Sequence, residues 1–437
     1  MINILALLTC LTLHIDNTSL KQLGCIIQGM FAMTGRVTML GISRWTGKGG
    51  SYRTIQRFCH SPKNWPTLMW VFFHSHCFNR DESYAIAGDE VVTTKSGKHT
   101  YGVDWFFSSL TNAPVKGLSF FVLSLVGLEK RESYPLRIEQ IIKPSVESNV
   151  NSTLPPMVGK RKRGRPKGSK NKDKSQYTLS SELFRIKGML SALLSMIGDT
   201  IALKYLLLDG KFGHHNAAQM ALQMGLHLVS KLRHDSALYL PSQGGNTKCK
   251  YGLKISPRKL SDTFLQFRSM QGDWNLQCYQ LRVLHKEFSV PINVVIILKT
   301  HQKTREQGHV ILFSTDLTLN AKKLVELYSL RFQIEFNFRD AKQFWGLEDF
   351  MNVSQIAVTN MVNLAFFMVN FSQKILQRFR RDCVNDFSLL DLKAFYRGFR
   401  YVDELIKLLP QKPEPILMSR IVNRLGNIGA IHPISFG

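Results

Sequence analysis

Acidic residues are scarce in this chain of 437 residues: 31 Asp+Glu stand against 57 Lys+Arg, a formal net charge of +26. That imbalance exceeds what solubility requires. It points to a polyanionic partner, nucleic acid before an anionic membrane surface. Cysteine is sparse too. The seven copies are scattered, odd in number, and never form a C-x-x-C pair. This excludes a disulfide framework and a zinc ribbon, and it fits a reducing, cytoplasmic compartment. The nearby pairs Cys59-His60, His76-Cys77 and His214-His215 match no standard zinc spacing. Long apolar runs are also missing: the stretches at Phe120–Leu128 and Met361–Phe371 fall short of the ~20 residues a membrane span needs. The opening MINILALLTCLTLHIDN has neither a basic n-region nor a small-residue cleavage site, so it reads as a buried helix rather than a signal peptide. No repeat with a period of roughly 20–50 residues is present.

What is there is globular. Hydrophobic residues make up 44% and charged residues 20%, and the length allows roughly two to four domains. Residues 1–82 read as a helical region. Within it GISRWTGKGGSYRTI suggests two short helices broken by Gly47, Gly49 and Gly50, with Ser51, Arg53, Gln56 and Arg57 where a recognition helix meets phosphates and base edges. Strand-rich runs follow at Tyr84–Thr93, His99–Phe107 and Ser119–Gly127, then a helix at Leu183–Ile197 and a buried strand at Tyr205–Leu208. A helix near Asn216–Met224 and a strand at Leu226–Lys231 complete an alternating α/β pattern. Residues 234–318 have a β texture, with strands expected at Cys278–His285, Ile292–Leu298 and His309–Phe313. One long helical pattern starts near Asn320, and helices continue to about Leu409.

A compositional break separates the strands. Residues 159–174, GKRKRGRPKGSKNKDK, hold nine Lys/Arg and one Asp, too polar to bury a core and therefore expected to be unfolded when free. In Arg163-Gly164-Arg165-Pro166 the Gly and Pro keep the backbone slim and extended. Two arginines could then lie along a narrow A·T-rich minor groove, as in an AT-hook.

Chemistry concentrates on the long helical pattern. Tyr328, Arg331, Glu335 and Lys342 would all fall within about 60° of one another at ~100° per residue. Leu327, Leu330, Ile334, Phe338, Ala341 and Trp345 occupy the adjacent face. One carboxylate among cations suits metal-assisted phosphodiester cleavage, which needs further carboxylates to hold the ions. Asp89 supplies one from within the apolar run AIAGDEVV, where an unused acid would be costly. Asp209 supplies another at the end of YLLLDG, a strand terminus of the kind that builds α/β sites. Asp104, in GVDWFF, competes with Asp89 for the first position.

The spacing Tyr-x2-Arg-x3-Glu-x6-Lys, met by Tyr328, Arg331, Glu335 and Lys342, resembles the YREK signature of bacterial insertion-sequence DDE transposases. GDEVVTTKSGKHTYG, LLLDGKFG and LRFQIEFNFRDAKQFWGLEDF are similar to that family as well, and the likeness spans residues 84–375. It implies an α/β, RNase H-like catalytic core with an inserted β subdomain, preceded by a helical N-terminal DNA-binding region and followed by C-terminal helices. The core would begin with residues 83–233, the insertion would be 234–318, the catalytic helix 319–375 and the C-terminal region 376–437. The resemblance further implies that Asp89, Asp209 and Glu335 are a metal-binding catalytic triad for Mg²⁺, with Mn²⁺ able to substitute. Arg331, Lys342 and Tyr328 would contact DNA at the element's ends. Trp274 is the only tryptophan in the insertion, and the family stacks an aromatic there on a flipped base. DNA ends and target, a homodimer in the synaptic complex and nucleoid association follow from the same likeness. A non-catalytic DNA-binding derivative of an element, or a nuclease that cuts without joining, are the alternatives.

Overall fold

The computed structural model describes residues 3–108, 111–143, 177–242, 250–382, 386–411 and 413–434. The hook-like Arg163, Gly164 and Arg165 lie outside them. Helices come first: α1 (Ile4–Leu8), α2 (Asn17–Ala32), α3 (Met39–Trp45), α4 (Tyr52–His60) and α5 (Trp65–His76). Next are strands β1 (Tyr84–Thr94), β2 (Asp104–Ser108), β3 (Ala113–Gly127) and β4 (Ser133–Ile141), then α6 (Ser181–Ile197), β5 (Tyr205–Leu208), α7 (His215–Gln223) and β6 (His227–Leu232). Six further strands follow: β7 (Leu238–Pro241), β8 (Tyr251–Lys254), β9 (Leu265–Gln271), β10 (Trp274–His285), β11 (Ile292–His301) and β12 (Gln307–Ser314). The chain closes with α8 (Ala321–Leu330), α9 (Gln333–Gln343), α10 (Gln355–Asp382), α11 (Leu389–Lys407) and α12 (Pro415–Gly426). This is a mixed α/β chain with helices at both ends.

Two compact units emerge among the described residues. The first comprises Met1–Gln140, Gly188–Leu207 and Leu327–Gly437, with strand order β2-β3-β1-β5 and β4 paired to β3. Strands β1 and β3 run antiparallel from Tyr84↔Gly127 to Thr94↔Gly117, which sets Asp89 opposite Val122. Gly117 permits that approach, because a Cβ there would lie 2.0 Å from the Thr93 carbonyl oxygen. Helix α10 is the spine of this unit. Phe366, Phe367 and Phe371 have no solvent exposure, as expected of a helix apolar on most faces. Asn360 ties the α4–α5 corner to it: its amide donates to the carbonyls of Cys59 (2.7 Å) and Ser61 (2.8 Å), and its oxygen accepts from Trp65 Nε1 (2.8 Å). Helix α9 is keyed to the sheet by buried Asn337, which donates to Ser133 Oγ at 2.7 Å.

The second unit comprises Ile141–Lys187 and Leu208–Glu326. Its strands are ordered β6-β12-β11-β10-β7-β8, and β9 pairs with Trp274–Tyr279 of β10, ahead of the Leu284–His285 stretch that takes β7. Buried Asn293 holds the exit of β12, donating to the carbonyls of Asp316 (3.0 Å) and Leu319 (2.6 Å).

The single long helix expected from Asn320 is two helices. Across the joint the chain uses i→i+3 bonds: Phe332 N to Ser329 O (3.2 Å), Ile334 N to Arg331 O (3.2 Å) and Glu335 N to Phe332 O (3.0 Å). That 3₁₀-type tightening changes the rotation per residue, so the four-residue signature does not lie on one continuous helical face. The expected strand at His99–Phe107 begins only at Asp104, and strands β4 and β9 were not anticipated.

Candidate active site

At the joint between α8 and α9 three of the expected site residues, Asp89, Arg331 and Glu335, come together. Asp89 stands midway along β1, and Glu335 lies in the first turn of α9. Between them is the Arg331 guanidinium. Its Nη1 donates to Asp89 Oδ2 at 2.7 Å and its Nη2 to Glu335 Oε1 at 3.2 Å. Side-chain exposures are 15% for Arg331, 19% for Asp89 and 40% for Glu335, so the Asp89 arm is the less hydrated of the two. Asp89 Oδ1 also accepts from the Glu90 amide at 2.8 Å, which fixes the orientation of the carboxylate. The Tyr328 ring lies 5.9 Å from the guanidinium carbon.

Lys342 sits further along α9. Its Nζ donates to the Val92 carbonyl at 2.8 Å and pairs with Glu348 at 3.1 Å. Glu348 belongs to a second cationic corner, unforeseen from sequence, in which Lys95 Nζ donates to the carbonyls of Glu348 (2.8 Å) and Phe350 (3.0 Å). Burial there draws the Lys95 ammonium down to about 8. A lysine in the turn-rich TTKSGKH carries no sequence signal for that role.

Asp104 is level with Gly117 and Thr94. Thr94 is five residues along the strand from Asp89, a separation of roughly 17 Å at ~3.3 Å per residue. In the second unit Asp209 directly follows β5 and caps a short 3₁₀ turn, its Oδ1 accepting from Lys211 N at 3.0 Å. Its carbonyl accepts from Ser230 Oγ at 2.6 Å. Trp274 opens β10 with His301 edge-on at 4.9 Å and Lys299 Nζ 4.9 Å from the ring centre. On α4 the N-cap Ser51 accepts from Thr54 N, Ile55 and Phe58 are buried, and Arg53, Gln56 and Arg57 are exposed on one side.

Among the described residues no group of three or more His, Cys, Asp or Glu side chains is arranged to hold a metal ion. Asp89 and Glu335 nevertheless converge on one cation, and their hard oxygen donors fit Mg²⁺ or Mn²⁺. The guanidinium occupies the position where positive charge is stabilised. Among the described residues no helix is long and apolar enough to cross a membrane.

The family model described as DDE superfamily endonuclease matches residues 6–264, and the one described as Transposase DDE domain matches residues 186–371. Asp89 falls in the first match, Glu335 in the second and Asp209 in both. No curated protein matches the chain.

Proposed function

The chain belongs to the DDE superfamily of endonucleases, and from that premise we propose that it is a transposase that cuts and rejoins the ends of a DNA element. The observation that carries this reading is the convergence of Asp89 and Glu335, from a strand and a helix, on the single cation of Arg331. A strand carboxylate and a helix carboxylate aimed at one positive charge suit phosphodiester chemistry. DDE superfamily enzymes generally use divalent metals. Asp89 and Glu335 would hold Mg²⁺ here, Mn²⁺ substituting, with Asp209 as the third carboxylate. When bound, the metal supplies Lewis-acid stabilisation of charge on the attacking and leaving oxygens.

The chain's own residues do the rest. Arg331, once drawn off the carboxylates, is in reach of a phosphate at the same place, and its planar fork suits two non-bridging oxygens. Lys342 and Tyr328 would contact the same strand near the cut. The exposed face of α4, with Arg53 and Arg57, would engage the element's ends. Arg163, Gly164 and Arg165 would follow a minor groove, and Trp274 would stack on a displaced base. An RNase H-like core interrupted by the β strands of residues 234–318 agrees with the strand–helix placement of the acids. A homodimer would bring two ends together.

The test is incubation of purified protein with Mg²⁺ and DNA carrying the flanking inverted repeats. Cleaved ends that also appear joined to a second duplex support the reading. Cleavage without joined product would make the protein a nuclease, and binding without cleavage would make it a DNA-binding derivative.

A further inference from the structure

A second concentration of charge lies in the first unit, where the catalytic reading makes no use of it. Lys130, on the turn joining β3 to β4, and Lys374, Arg378, Arg380 and Arg381, on the C-terminal part of α10, line an open cleft of about 620 Å³. The one carboxylate lining it, Glu132, is engaged: its Oε2 accepts from Tyr134 OH at 2.7 Å and from Gln377 Nε2 at 2.9 Å. The acids beside the turn are engaged as well. Glu82 accepts from the Lys130 amide and Glu129 from the Ser83 amide, both at 2.9 Å. Glu82 and Glu129 therefore brace the backbone of the turn, and in the cleft Lys374 Nζ donates to the His76 carbonyl and Arg380 Nε to the Phe387 carbonyl at 2.9 Å, while Lys130 and Arg131 are exposed.

Cations in the last turn of a helix offset its dipole, which accounts for Arg380 and Arg381. It does not account for Lys130, brought to the same cleft from a different element. The turn is also shaped at some cost, since Arg131 adopts φ +57°, a left-handed conformation that non-glycine residues rarely take. Arg131 reaches from it to Ser329 Oγ at 3.3 Å, beside Tyr328 and two residues from Arg331.

We propose that this cleft, between the β3–β4 turn and the end of α10, is a track for the DNA sugar–phosphate backbone. This rests on the DNA-cleaving reading above. A concave, multi-cation groove fits a continuous polyanion better than it fits a flat anionic membrane.

The experiment compares wild type with Lys130→Ala/Arg381→Ala, measuring binding of a random-sequence duplex by fluorescence anisotropy across a salt series. Each lost phosphate contact should lower the slope of log affinity against log salt by ~0.9, so the double variant should lose ~1.8. Mn²⁺ binding to the protein alone should be unchanged. An unchanged slope in a folded double variant overturns the track. Lys130→Ala alone, on an exposed turn, keeps the test decisive if the double variant misfolds, with an expected loss of ~0.9. A wild-type protein that binds no duplex at low salt would instead defeat the DNA-cleaving reading. Loss of co-sedimentation with phosphatidylglycerol vesicles, at an unchanged DNA slope, would assign the cleft to membrane and overturn the track.

Discussion

Replacing Arg331 with Gln tests whether its guanidinium stands where a divalent cation binds. Charge centres ~4 Å apart interact by roughly 4 kcal/mol at an effective dielectric of ~20. The 2.7 Å Asp89 arm is mostly shielded from solvent and approaches that regime. The Glu335 arm, whose carboxylate is 40% exposed, contributes under about 1 kcal/mol. Desolvation offsets part of the first figure, leaving roughly 2 kcal/mol that an incoming ion must overcome. At 1.4 kcal/mol per decade that is ~10–30-fold in affinity. Arg331→Gln should therefore bind Mn²⁺ more tightly than wild type by that factor in the absence of DNA, as read from free-ion electron paramagnetic resonance. Without metal the variant should be less stable, because two carboxylates then face each other uncompensated, and its Tm should climb more steeply with Mn²⁺. Asp89→Asn and Glu335→Gln serve as controls, since both should lose the Mn²⁺ site. If Arg331→Gln is folded and its Mn²⁺ affinity is unchanged or weaker, the guanidinium does not compete with the ion and the reasoning fails.

Three other perturbations have defined outcomes. Asp89→Asn, Asp209→Asn and Glu335→Gln should each abolish metal-dependent cleavage while DNA binding persists; residual cleavage in gel assays would remove that acid from the triad. Asn360→Leu strands the Trp65 Nε1–H and the carbonyls of Cys59 and Ser61 inside the helical region, and urea unfolding should register a loss of ~2–4 kcal/mol. Burial pushes the Asp391 carboxyl up, but hydrogen bonds from Ser388 and His432 outweigh it and hold the group at about 2. Its contribution of ~2 kcal/mol is present above the ordinary carboxylate value and is lost as pH falls towards 2; an Asp391→Asn protein should show a flatter acid limb in a pH series of Tm.

How far the sequence could be read depended on whether a position answers to its neighbours or to distant residues. Strand β5 was expected at its observed limits, and α7, β6 and β11 were expected within about three residues at each end. Each is a short apolar or Ala-rich run bounded by turn-forming residues, a local signal. Asp89 stood out because an acid inside AIAGDEVV demands a reason, and Arg331 and Glu335 because i,i+4 partners share a helix face. The helix joint between them left no trace. Leu327, Leu330 and Ile334 are all fully buried, and their spacings of three and four residues suit a continuous helix and a tightened one equally. Strand β9 is almost wholly exposed, so no alternation marked it. The separation of Asp104 from Asp89 is set by the β1–β3 and β2–β3 registers, which only the paired strands define. The Asn360 network joins residues some 300 positions apart, and no window along the chain contains both ends. The basic cleft repeats that logic. Lys130 and Arg381 are ordinary surface cations in sequence, and only the packing of a β turn against the end of α10 turns them into one surface.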